Sequence, residues 1–136
     1  RLPAPAHEPR RPAFPCSQKV ACSAYALEPD PARGKEVFAA KCAACHGADG
    51  LGKPAGTAYQ FPPLWGDKSF NIGAGMARLE TAAGFAKAKM PLGAGGTLSD
   101  KEAYDVASYF TTQPRPDFAA KAKDWPNGGK PKDARY

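Results

Sequence analysis

Bulky apolar residues are what this chain lacks most. Leu, Ile, Val and Phe together number 18 of 136 residues, while 27 alanines make up much of its 43% hydrophobic content. A content of these four below about 20%, joined to a clear net charge, ordinarily marks a chain that stays unfolded. Fifteen prolines and 14 glycines push the same way. Such a chain is either largely unstructured or completes its core with an apolar body that is not polypeptide. The composition thus asks for a cofactor before any motif is read. Long apolar runs are also missing, which excludes a transmembrane helix. No leader pattern stands at the start, and Arg1-Leu2-Pro3-Ala4-Pro5 reads as a mature or trimmed end.

Concentrated charge is absent as well. The net charge of +6 divides into +1 over residues 1–30 (four basic, three acidic), +2 over 31–113 (nine, seven) and +3 over 114–136 (six, three). Nucleic-acid binding needs a dense basic stripe with aromatic platforms, and none is present. A mildly basic surface instead suits an acidic protein partner.

Three segments are legible. Residues 1–30 hold six prolines and no periodicity, and read as an extended arm. Residues 31–113 carry the helical patterns. Asp30 caps and Pro31 starts a helix over about 31–44. Residues 47–69 read as a long loop rich in Gly and Pro with Tyr59, Phe61, Leu64 and Trp65 embedded, suited to wrapping something flat. Asn71 to Gly75 suits a short helical turn. A second helix is expected over Gly75 to Lys87, with Met76, Leu79, Ala83 and Ala86 toward one face. Ser99-Asp100-Lys101-Glu102 is a capping box opening a last helix with the stripe Ala103, Val106, Ala107, Phe110. Pro114 and Pro116 end it, and residues 114–136 read as an extended Lys- and Pro-rich tail. The fold class expected is all-α.

Cys42-Ala43-Ala44-Cys45-His46 is the C-x-x-C-H pattern of covalent haem attachment. Two thiols add across the two porphyrin vinyls, and a two-residue spacing at a helix end sets both sulfurs on one ring edge. The next residue, histidine, then reaches the iron. A redox dithiol or half of a zinc site are the alternatives. Zinc would need a second ligand pair, and Cys16, Cys22 and His7 match no zinc spacing. A thioredoxin-like site wants flanking strands, and none is patterned. The motif therefore implies one haem c.

Electron-transfer haems commonly carry a second protein ligand, and Met opposite His raises the potential. Met90, in Lys89-Met90-Pro91-Leu92-Gly93, stands just past the second helix, where the chain can cross the distal face. Met76 lies among small residues inside that helix and reads as core filler. The expected metal ligands are His46 and Met90, with no position left open for substrate. A ligating histidine donates its other ring N–H to a carbonyl or carboxylate. A carbonyl within Phe61-Pro62-Pro63-Leu64 is the natural acceptor, which brings Pro63 among the cofactor contacts. Tyr59 and Trp65 are expected beside the haem, either hydrogen-bonded to a propionate or packed on the ring edge. Cys16 and Cys22 are expected to form a disulfide pinning the arm. The alternative for them is a thiolate that binds iron or carries sulfur.

Gly34 to Phe38, the C-x-x-C-H motif, the Met-Pro loop and the C-terminal helix make residues 31–113 resemble a class I c-type cytochrome: three to four helices around one covalent haem. More narrowly, Phe61-Pro62-Pro63-Leu64-Trp65-Gly66, Asn71 to Arg78, Lys89 to Gly93, Leu98 to Ala107 and Gln113 to Pro116 resemble the haem domains of the bacterial thiosulfate dehydrogenase family and its cytochrome partners. That family's enzymes have two haems and act at one with an unusual cysteine ligand, whereas this chain holds a single attachment motif. The resemblance therefore implies a monohaem, periplasmic electron carrier or electron-transfer subunit in inorganic sulfur oxidation, exported with a signal peptide not present in this chain. It would work between a dehydrogenase donor and an oxidase or reaction-centre acceptor. Direct action on thiosulfate is the alternative, and electron transfer is favoured over enzyme. A third reading has the arms binding a larger subunit.

Overall fold

The structure, a computed structural model, describes residues 28–136. His7, Cys16, Cys22 and the bridge expected between the two cysteines lie outside the described residues.

Helix α1 spans Pro31–Lys41. Asp30 accepts a hydrogen bond from Arg33 N, and Pro31 occupies the first turn, where its missing N–H costs nothing. The helix expected to run to residue 44 instead breaks at Cys42, whose φ of −121° departs from helical geometry. One further turn, α2 (Ala43–His46), follows, and Gly47 at φ +82° ends it. Residues 47–69 are not all loop. They include an antiparallel ribbon of β1 (Lys53–Ala55) and β2 (Ala58–Phe61), in register Lys53 with Phe61 and Ala55 with Ala58.

The second expected helix starts later and ends later than its pattern. A 3₁₀ turn at Gly75–Ala77 precedes α3, which spans Leu79–Lys89. No side chain of its own caps α3. Asp133 from the C-terminal segment does so, accepting from Glu80 N at 3.0 Å. Helix α4 spans Asp100–Thr111 and carries both halves of the capping box between Ser99 and Glu102.

The core is built from small residues at close approach. Ala82 and Ala83 of α3 and Ala103 and Ala107 of α4 have no exposed surface, with Val37 and Phe38 of α1 and Leu98, Val106 and Phe110 closing the cluster. α1 crosses α4 at Gly34, where a Cβ would stand 2.0 Å from the Asp105 carbonyl oxygen. Asp105 itself is buried, and its Oδ1 accepts from Asp30 N at 3.0 Å and from Lys101 Nζ at 2.6 Å. That carboxylate ties the start of α1 to α4.

Lys41 Nζ lies 2.8 Å from Glu102 Oε2 on the rim of the same crossing. The Lys41 hydrogen bond, then that from Ser99 N, hold the Glu102 carboxyl below its ordinary range. A depressed carboxylate stabilises above the unfolded pKa, and that stability is lost as pH falls through the folded one. Glu102→Gln keeps the cap and removes the charge. It is expected to cost about 0.5 kcal/mol at neutral pH for a partly exposed pair, with the two stabilities converging in acid. Denaturant melts of the two proteins across pH check this.

Residues 114–136 lie against the body. Pro114 O accepts from Gly66 N at 2.7 Å and Pro116 O from Ile72 N at 3.0 Å. Arg115 stacks over Phe70 at 4.3 Å and donates from Nη2 to Phe110 O at 2.6 Å. Among the described residues no helix is long and apolar enough to cross a membrane.

Candidate haem-binding site

Helices α1 to α4 and the loops between them leave an apolar cavity of about 410 Å³. Cys42, Cys45 and His46 form one part of its wall, and Pro62, Pro63 and Leu64 continue it. Leu98, Val106 and Phe110 line it from the core, and Phe85, Met90, Pro91 and Leu92 from the end of α3. Val106 and Phe110 belong to the stripe legible in α4. Phe70 and Phe85 also reach the wall, although no periodicity marked them. Met76 lines the cavity too, but packs on the buried cluster from its 3₁₀ turn.

The break at Cys42 has a consequence for the motif. α1 and α2 meet there, and the motif's short second helix carries Cys45 and His46 to the cavity. His46 is 8% exposed, and its Nδ1 lies 2.8 Å from Pro62 O. A carbonyl only accepts, so Nδ1 carries the proton, and Nε2 of the neutral ring keeps the lone pair that a metal requires. The acceptor is thus Pro62. Pro63, also a wall residue, turns its own carbonyl to the Ser69 hydroxyl at 3.0 Å.

This loop is held close to the motif by glycines. Gly52 N donates to His46 O at 2.8 Å, and a Cβ on Gly52 would stand 2.4 Å from Phe61 O. Leu64 N donates to Gly50 O at 2.8 Å. Trp65 lies over Gly50, where a Cβ would meet its ring at 2.3 Å. Trp65 packs with Phe38 and Tyr109 at centroid distances of 5.1 and 5.7 Å. Neither Trp65 nor Tyr59 is a wall residue of the cavity. Trp65 supports the loop from behind, and Tyr59 is 39% exposed on β2.

Burial pushes the Cys42 thiol up to about 11, against the opposing pull of Lys41. A dithiol redox centre needs the reverse, a cysteine whose thiolate is favoured. Cys42 and Cys45 both line the apolar cavity, where the two vinyl groups of a porphyrin would meet them. The donor set that lines the cavity, two thiols, one imidazole and the thioethers of Met76 and Met90, fits a haem c.

A family model, Cytochrome c, matches residues 31–114. The chain belongs to the cytochrome c family. It is 61% identical over 111 residues to the thiosulfate dehydrogenase of Psychrobacter arcticus, covering 80% of this chain and 34% of that protein. It is 57% identical over 98 residues to that of Allochromatium vinosum, covering 71% and 36%. The thiosulfate dehydrogenase TsdBA of Marichromatium purpuratum, a solved structure, superposes with a TM-score of 0.60 at 39% identity, over 79% of this chain and 25% of that one. The chain spans about a third of the length of the curated relatives it matches. A cytochrome c domain binds haem c covalently, and this one is related to enzymes of sulfur oxidation. The all-α reading holds for the class I cytochrome c fold, with the small β1–β2 ribbon added.

Proposed function

We propose that residues 31–113 form a monohaem electron-transfer unit, with thioether links from Cys42 and Cys45 and iron held between His46 and Met90. The observation that carries this reading is the His46–Pro62 hydrogen bond at 2.8 Å beside both cysteines, on a cavity that Met90 also lines. Bound there, haem c supplies a one-electron couple. The chain's residues do the rest. Pro62 O fixes the imidazole's tautomer and orientation, as outer hydrogen bonds do for metal ligands. Met90 is the better sixth ligand because Met76 is engaged with the buried cluster. A thioether opposite histidine raises the potential, and the apolar wall excludes water.

With His46 and Met90 both holding its iron, a bound haem would have no position left for substrate, and the unit would relay electrons. Its place would be the bacterial periplasm, in thiosulfate or sulfite oxidation, taking electrons from a dehydrogenase and passing them toward an oxidase or reaction centre. Nine basic against seven acidic residues over 31–113 favour partners with an acidic docking face. The test uses the holoprotein. One haem per chain, retained after acid–acetone extraction, is expected from two thioethers. Thiosulfate alone should leave the ferric haem oxidised, and thiosulfate with a thiosulfate-oxidising dehydrogenase should reduce it. Tetrathionate formed by the chain alone would replace the carrier reading with an enzymatic one.

A further inference from the structure

The segment that follows Met90 is tied down at one residue. Residues 92–97 are exposed, Leu92 at 75%. Their hydrogen bonds are partly internal: Ala94 N donates to Pro91 O at 2.8 Å, and Thr97 Oγ1 to Ala94 O at 2.7 Å. Two further bonds join the segment to α3, and both come from Lys87. Its carbonyl accepts from Gly96 N at 2.8 Å. Its ammonium donates to Leu98 O at 2.6 Å and lies 3.2 Å from Asp100 Oδ1 at the start of α4. Leu98 is 1% exposed and lines the cavity. The fold-back is tight enough that a Cβ on Gly95 would stand 2.4 Å from Ala88 O. One side chain, three residues before Met90, therefore spans from the last turn of α3 to the far end of the loop.

We propose that Lys87 is a positioning residue that straps the Met90 loop across the cavity and so sets how readily an outside ligand displaces Met90 from iron. This rests on Met90 being the sixth ligand. Exchange at such a position needs the loop to lift, and exposed loops with few buried contacts open at low cost. The Lys87 ammonium is charge-assisted toward a carbonyl that moves with that loop, and donors of this kind are stronger than neutral ones. Partial exposure weakens the Asp100 arm more than the carbonyl arm.

The experiment measures the rate of imidazole binding to the ferric holoprotein at fixed pH. Lys87→Met keeps the aliphatic stem and removes the donor. It is expected to speed binding by about tenfold, the scale of losing one charge-assisted hydrogen bond after screening. Lys87→Arg restores a donor and is expected to bring the rate back near that of the unmodified protein. Lys121→Met breaks a tail ion pair, Lys121 with Asp117 at 3.0 Å, and is expected to leave the rate unchanged. Lys87→Ala, which also lacks a donor, repeats the test should Lys87→Met not fold. An unchanged rate in Lys87→Met, an equal rise in Lys121→Met, or no recovery in Lys87→Arg would overturn the proposal. Met90→Ala separates the two ideas. If it keeps the methionine-to-iron charge-transfer band, the ligand assignment fails. If it loses the band while Lys87→Met exchanges normally, only the strap fails.

Discussion

Met90→Ala is expected to abolish the weak near-infrared charge-transfer band of the ferric protein. It is also expected to lower the midpoint potential by roughly 100 mV or more, a modest share of the ~0.8 V that axial ligands span. The direction follows from the donor. A thioether is a soft ligand that favours ferrous iron, and its loss leaves a position for water or an added base. Met76→Ala supplies the comparison. Met76 shares the cavity wall but packs on the buried cluster, so its truncation should weaken packing and leave the band in place. Absorption spectra and potentiometric titration of the two variants check the pair. A band that survives in Met90→Ala and vanishes in Met76→Ala would reverse the ligand assignment.

Gly34→Ala is expected to destabilise the domain by about 3 kcal/mol, at the severe end of overpacking. Helix propensity alone predicts the opposite sign, since Ala in a helix interior is favoured over Gly by about 0.8–1 kcal/mol. The tertiary contact decides. The added Cβ would stand 2.0 Å from Asp105 O and 2.9 Å from Tyr109 Cβ, and the nearer of these is backbone. Relief requires α1 to move off α4. That would strain the Asp30–Asp105 hydrogen bond and the tilted contact of Phe38 with Tyr109 at 5.7 Å. Thermal unfolding followed by circular dichroism should show a drop of roughly 10–25 °C, at about 4–8 °C per kcal/mol for a domain of this size. Gly34 thus explains how so few bulky residues suffice. Close approach of helices lets alanine fill the core, and dispersion contacts accumulate where surfaces meet without gaps.

The cavity explains the rest of the sparse composition. Leu98, Val106, Phe110, Phe70 and Phe85 all line the cavity. Scarce large side chains are gathered around a space for the cofactor rather than spread through a polypeptide core. That arrangement ties cofactor binding to stability, because a ligand that binds only the native state stabilises it.

What the chain determined by itself is the local chemistry. C-x-x-C-H spans five consecutive residues, so its meaning needs no tertiary partner. The same holds for the Asp30-Pro31 start of α1 and the Ser99–Glu102 capping box, where each group reaches its partner within one helical turn. The stripe of α4, with Val106 and Phe110, was legible because burial on one helical face repeats with the helix period. Tertiary structure alone decided everything that joins distant segments. The ribbon β1–β2 pairs exposed residues with no alternating pattern, so nothing in its sequence separated it from loop. The α3 boundary follows a cap from Asp133, 53 residues away. Trp65 packs with Phe38 and Tyr109, and Gly50 leaves room for its ring, a contact no local pattern marks. Pro62 O is the carbonyl that meets His46 Nδ1, while Pro63 O accepts from the Ser69 hydroxyl. Single-residue patterns carry covalent spacing and helix period, while a contact between segments depends on which backbones approach closely. In this protein that is set by Gly34, Gly50 and Gly52, whose role shows only when the opposing atoms are in place.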